Sequence, residues 1–139
     1  MHITGFASRL LSVKLKRPYR IAYKEIDSVE LVFLKIETDR RIYGLGCASP
    51  APYVTGESVQ ACLEGLKPQS LHWLKGQDVR ELAGLLGQIP KRLPKLPAAQ
   101  AALDMALHDC YAKLLDLPLV SVLGRVHDKL PTSVTVGIC

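Results

Sequence analysis

PAAQAALDMALHDCYAKLL, residues 97–115, is the stretch on which the fold turns. Ala99, Ala102, Leu103, Ala106, Leu107, Cys110 and Leu114 recur at i, i+3, i+4 and i+7 spacing, which places them on one stripe of an α-helix. Gln100, Asp104, His108 and Lys113 fall off that stripe. The stripe is mostly alanine, so whatever packs on it can approach closely. Pro97 suits a first helical turn, and Asp116 and Pro118 end the helix. Leu119–Leu123 adds one more apolar turn before Gly124.

Upstream of this helix the texture is that of strands. Leu11, Val13 and Leu15 alternate with Ser12, Lys14 and Lys16, the period-2 signature of a half-buried strand. SVELVFLKIET (28–38) and IYGLGCAS (42–49) predict a hairpin about a turn at Asp39-Arg40-Arg41. Gly44 and Gly46 sit at alternate positions, where another backbone can come close. Gly44-Leu45-Gly46 is too short for a phosphate-binding loop, and no helix follows it directly. PAPYVTGE (50–57) reads as a loop. Asp78-Val79-Arg80-Glu81 resembles a capping box starting a short helix through Gly87, and Pro90, Pro94 and Pro97 punctuate a linker. At the end of the sequence, Val134, Val136 and Ile138 alternate as a further strand. Strands followed by helices predict an α+β fold: a three-stranded antiparallel meander, then a helical bundle.

Composition narrows the function classes. The 139 residues include 48% hydrophobic and 22% charged side chains, ordinary values for one globular domain. No apolar run reaches membrane-spanning length, and no basic and apolar leader opens the chain, so a cytoplasmic protein is expected. Cys47, Cys62, Cys110 and Cys139 match no zinc or CxxC spacing and read as free thiols. The net charge of +5 is scattered and accompanies no nucleic-acid-binding motif, so no nucleic-acid partner is expected. Asp104, His108 and Asp109 invite a metal reading, but a pair at helical spacing without a third ligand fits an ion-paired helix surface better.

A set of motifs in order carries a resemblance: Pro18-Tyr19-Arg20-Ile21-Ala22, VELVFLKIET, Gly44-Leu45-Gly46-Cys47-Ala48-Ser49-Pro50, Val54-Thr55-Gly56-Glu57, AALDMALHDCYAKLLDLPLVSVLG (101–124) and LPTSVTVGI (130–138). The chain resembles the N-terminal part of the enolase superfamily, on its muconate-lactonising and mandelate-racemase side. Within that branch it is most similar to dipeptide epimerases of the L-Ala-D/L-Glu type. Muconate cycloisomerase, N-acylamino-acid racemase and o-succinylbenzoate synthase remain alternatives, as does a free-standing interaction module.

The resemblance implies a capping domain over residues 1–125. Residues 126–139 become a linker and the first strand of a (β/α) barrel that needs on the order of 200 further residues. It implies a magnesium-dependent isomerase that removes a proton α to a carboxylate, with the metal neutralising charge as the enolate forms. The catalytic lysines and the metal-binding carboxylates are expected on later barrel strands, so this chain holds no catalytic and no metal residue and is expected to be inactive alone. Its partners are a small carboxylate substrate such as a dipeptide, its own barrel, and further copies in a homo-oligomer.

Two capping-domain loops are implied to close over the barrel mouth and read the remote end of the substrate. Tyr23 and Lys24 are the candidates in the first, at about Arg20–Glu25, with Lys24 suited to a carboxylate such as a Glu side chain. Tyr53, Val54 and Thr55 are the candidates in the second, and Thr135 the candidate from the barrel strand. Two departures stand out. Cys47 replaces the glutamate of the family's GEAxP, deleting a charge. Arg125 replaces the second glycine of its LGG, where a positive φ would strain a side chain.

Overall fold

The computed structural model describes residues 1–21 and 24–133, with residues 19–21 and 24 by backbone alone. Three antiparallel strands, β1 (Ile3–Ile21), β2 (Lys24–Thr38) and β3 (Tyr43–Ala48), form a sheet of order β1-β2-β3. The helices follow: α1 (Pro52–Thr55), α2 (Val59–Gly65), α3 (Leu82–Arg92), α4 (Pro97–Leu114) and α5 (Leu119–Val122), with 3₁₀ turns at His72–Leu74 and Val79–Glu81. The α+β class and the meander are those expected from the sequence.

Strand alternation decides where the core lies. Val32, Leu34 and Ile36 of β2 point to one face and are fully buried under the helices. Across from them, α4 lays down Ala99, Ala102, Leu103, Ala106, Leu107 and Cys110, all at 0% exposure. Gly44 and Gly46 of β3 let the α4 backbone press onto the strand: a Cβ on Gly44 would meet the Ala106 carbonyl, and one on Gly46 that of Ala102. The close approach expected at these two glycines is therefore real, and its partner is a helix. At its far end α4 stops in a Schellman turn. Leu117 N–H donates to the Ala112 carbonyl at 3.1 Å and Asp116 N–H to that of Lys113 at 3.2 Å, with Asp116 at φ 54° where glycine is usual.

One edge of the sheet is β3, and α4 meets it with polar groups. The Leu45 N–H donates to Asp109 Oδ2 at 2.8 Å, while Lys113 Nζ donates to the Tyr43 carbonyl at 2.9 Å and to Asp109 Oδ2 at 2.7 Å. Lys113 also stands 4.6 Å from the Tyr43 ring centroid. An edge strand with free donors and acceptors is a template for aggregation, and this pair occupies them. Asp109→Ala is expected to lower stability by about 1–3 kcal/mol, the cost of stranding a partly covered N–H, with Asp109→Asn losing less. A urea midpoint unchanged in Asp109→Ala would contradict this.

Four expectations need correction. The first strand is much longer than its alternating core at 11–16, and the expected Arg20–Glu25 loop is largely paired: Arg20 faces Glu25 and Ile21 faces Lys24 in the ladder. Main-chain pairing forms this hairpin, and Lys16, Arg17 and Pro18 leading into it are exposed, so no hydrophobic period announces it. The 50–57 segment contains the one-turn helix α1. Asp78 accepts from Arg80 N–H at 2.9 Å and caps a 3₁₀ turn rather than an α-helix, and α3 runs to Arg92 with Pro90 inside it, on the exposed side opposite Leu85 and Ile89. Finally, Arg125 is not among the positive-φ residues; the left-handed position is Gly124, at φ 85°, so the strain expected of Arg125 is absent.

Candidate functional site

The candidate residues divide between the two ends of the sheet's loops. Lys24 opens β2 at the tip of the long hairpin, described by backbone alone. Tyr23, Thr135 and the strand expected at 131–139 fall, wholly or in greater part, outside the described residues.

The second segment is described in full. Ala51 ends an extended stretch, and Pro52 fixes the first residue of α1. The N–H groups of Val54 and Thr55 donate to the Ala51 carbonyl at 2.9 and 2.8 Å, and Gly56 N–H donates to Pro52 O at 3.1 Å from a left-handed conformation, φ 74°. One turn of helix is thereby closed on itself. Tyr53 and Val54 project from it at 92% and 83% exposure. A large aromatic and a β-branched side chain thus stand side by side in solvent at a loop tip. Thr55 differs: its hydroxyl donates to the Ala51 carbonyl at 3.1 Å and accepts from Glu57 N–H at 3.4 Å, so it serves the loop's own backbone.

Sequence reasoning missed Glu57. Its side chain is 1% exposed, and its carboxylate accepts from Ala98 N–H at 2.6 Å and Ala99 N–H at 3.1 Å, the first free amides of α4. An acidic residue after Thr-Gly reads as a solvated loop charge. The signal lay elsewhere: Leu96 precedes Pro97 where a capping Ser, Thr, Asp or Asn is usual, so α4 lacks a cap of its own. Burial and the adjacent Glu57 carboxylate push the Cys62 thiol up to about 12. Burial also pushes up Cys110, to about 12, and raises Cys47, which stands opposite Phe33 on β3 where the family's glutamate is expected. Cys47, Cys62 and Cys110 are free thiols.

The carboxylates that invited a metal reading are engaged. Asp104 pairs with His108 at 3.0 Å, and Asp109 holds Lys113 and the β3 amide. Among the described residues no three His, Cys, Asp or Glu side chains converge on a point that could hold a metal ion, so the described part of the chain does not fit a magnesium site. No helix among the described residues is long and apolar enough to cross a membrane.

Comparison with known proteins agrees with this geometry. The family described as mandelate racemase / muconate lactonizing enzyme, N-terminal domain, matches residues 7–124. The L-Lys-D/L-Arg epimerase of Methylococcus capsulatus is 49% identical over 138 residues, covering 99% of this chain and 39% of that protein. The crystal structure of the dipeptide epimerase from the same organism, complexed with Mg and the dipeptide L-Arg-D-Lys, superposes with a TM-score of 0.96 over 100% of this chain and 39% of its own. The substrate-liganded L-Ala-D/L-Glu epimerase of Bacillus subtilis is 29% identical, with a TM-score of 0.91, over 100% of this chain and 39% of its own. The chain thus spans about two-fifths of the length of the curated relatives it matches.

Proposed function

The chain belongs to the family of mandelate racemase / muconate lactonizing enzyme N-terminal domains, and from that membership we propose that it is the capping domain of a dipeptide epimerase. The observation that carries the reading is the 49% identity to an L-Lys-D/L-Arg epimerase along nearly the whole chain. A second L-Lys-D/L-Arg epimerase, from Desulforapulum autotrophicum, supports it at 51% identity. Residues 1–125 form the cap; 126–139 lead into the barrel. The exposed apolar side chains Leu11, Val13 and Leu45 on the sheet face away from α4, and Leu123, Val126 and Leu130 beyond α5, supply surface for that barrel to cover. A homo-oligomeric assembly and a cytoplasmic location, where free thiols persist, belong to the same proposal.

The reaction inverts one α-carbon of the dipeptide. A C–H bond breaks, its electron pair is held beside the carboxylate, and a proton returns to the opposite face. Magnesium, proposed for the complete enzyme with ligands outside this chain, supplies charge neutralisation there. This chain's part is to bind and to exclude water. The Tyr53–Val54 tip and the β1–β2 hairpin close over the substrate's far end, where like charge keeps Lys24 from pairing with a cationic side chain. The substrate proposed is a dipeptide with cationic side chains. That revises the expected preference for a Glu side chain, because the L-Lys-D/L-Arg relatives stand near 50% identity and the L-Ala-D/L-Glu relative of Clostridium acetobutylicum at 30%.

The test is α-proton exchange in deuterated buffer with magnesium, followed by mass spectrometry. The 139-residue chain alone is expected to exchange neither L-Lys-L-Arg nor L-Ala-L-Glu. Grafted in place of the matching part of the M. capsulatus epimerase, it is expected to support exchange of L-Lys-L-Arg in preference to L-Ala-L-Glu. A graft that folds but exchanges neither dipeptide rejects the reading; a preference for L-Ala-L-Glu rejects the cationic substrate.

A further inference from the structure

We propose that Glu57 is the positioning residue of the 51–57 segment: its buried carboxylate fastens that segment to the N-terminus of α4, so that Tyr53 and Val54 are presented from a fixed base. The inference rests on the reading of this segment as a specificity lid.

The accounting of backbone groups at the start of α4 leads to it. A helix leaves its first N–H groups without partners inside the helix. Pro97 has none to offer, and Gln100 N–H reaches the Leu96 carbonyl at 2.9 Å. Ala98 and Ala99 remain, buried, and Leu96 has no side-chain acceptor for them. Glu57 reaches across 41 and 42 residues of sequence to take both, one with each carboxylate oxygen. A carboxylate at 1% exposure is costly unless its oxygens are satisfied. Here two charge-assisted hydrogen bonds and the positive end of an 18-residue helix satisfy it.

The same bond fixes the lid. Glu57 N–H meets Thr55 Oγ1, which meets the Ala51 carbonyl, and Gly56 closes on Pro52. The other foot of the segment is held by buried Ala48 and Pro50. α4 itself is seated on the β3 glycines. Sheet, helix, carboxylate and loop tip thus form one mechanical series, in which Glu57 is the link between scaffold and tip. A loop pinned at both feet loses little freedom when it meets a ligand, which is the value of such a fastening.

The experiment is backbone ¹⁵N relaxation on the labelled 139-residue chain, comparing wild type with Glu57→Gln and Glu57→Ala. In wild type, the order parameters of Tyr53–Gly56 are expected near the rigid value of about 0.85; in Glu57→Ala they fall below about 0.6, while those of β2 stay unchanged. Glu57→Gln keeps one acceptor oxygen and is expected to lie between. Should Glu57→Ala fail to fold, Glu57→Gln decides alone: a fall confined to 53–56 supports the proposal. Unchanged values at 53–56, or a loss spread evenly over α4 and β2, overturn it in favour of a purely structural cap. In the M. capsulatus graft, Glu57→Gln is expected to raise KM several-fold with kcat within about twofold; a fall in kcat with KM unmoved also overturns it. A wild-type graft that is inactive counts against the enzyme reading alone, because the relaxation data decide Glu57 independently.

Discussion

Gly46→Ala is expected to lower the melting temperature by about 12 °C or more, and Gly46→Val to leave no folded protein. The reason is backbone against backbone. A Cβ at Gly46 would collide with the carbonyl oxygen of Ala102 and approach its carbonyl carbon to 2.7 Å and its Cα to 3.2 Å. None of these atoms belongs to a flexible side chain, so relief requires α4 to move off β3. That helix carries Ala99, Ala102, Leu103, Ala106 and Leu107 into the core, and lifting it opens the whole interface. Inserting a group into a packed interior costs about 1–3 kcal/mol where side chains can adjust. With no side chain to yield, about 3 kcal/mol or more is expected, at roughly 4 °C per kcal/mol for a domain of this size. Gly84→Ala is the matched control. Gly84 lies within α3 with nothing within 4 Å of its Cβ position, so alanine there is expected to stabilise by about 0.5–1 kcal/mol. Thermal unfolding of the two variants side by side checks the claim. A Gly46→Ala midpoint within about 2 °C of wild type would overturn the close-packing account.

What the sequence made legible and what it hid follow one rule. Burial leaves a pattern; main-chain pairing and remote polar contacts do not. The α4 stripe, the 28–38 and 42–49 strands and the glycine pair were readable because each alternates or repeats against a buried surface. The part of β1 beyond Lys16 was not, because Arg17 and Pro18 are exposed and the ladder is irregular between Lys14 and Tyr19. Pro90 hid the last turn of α3, since a proline near a helix C-terminus on its exposed side costs less than one in mid-helix. At the candidate site, the exposed tip at Tyr53 and Val54 followed from the resemblance rather than from any periodicity. Glu57 lay beyond reach for another reason: its partners are amides 41 and 42 residues away, and only a count of unsatisfied donors at Ala98 and Ala99 would point back to it. Asp109 reads on spacing as part of an ion-paired helix surface, and its pair with Lys113 fits that, yet its bond to the β3 edge depends on how α4 crosses the sheet.

Stability is expected to hold up to about pH 9 and then to fall steeply as the pH rises toward 12. Cys62 and Cys110 are fully buried, and both thiols are pushed from 9.0 to about 12. Burial is the main cause in each. Glu57 and Cys47 add to it at Cys62; Asp109 adds to it at Cys110, against a smaller opposing effect of Lys113. The sign follows from proton counting. Between pH 9 and 12 the unfolded chain has released these two protons and the folded chain has kept them, so the folded state binds more protons and stability declines with pH. Two protons correspond to about 2.7 kcal/mol per pH unit at the steepest part of the window. Below pH 9 both states hold both protons and the contribution is complete. The measurement is the urea midpoint from pH 7 to 11. Cys110→Ala, which removes one of the two groups, is expected to halve the slope above pH 9 while lowering stability slightly at neutral pH. A neutral buried thiol is also a poor nucleophile, so neither cysteine is expected to react with iodoacetamide at pH 8 until the chain unfolds. A midpoint flat through pH 11, or a slope indifferent to Cys110→Ala, would show that the two thiols do not govern the alkaline limit of the fold.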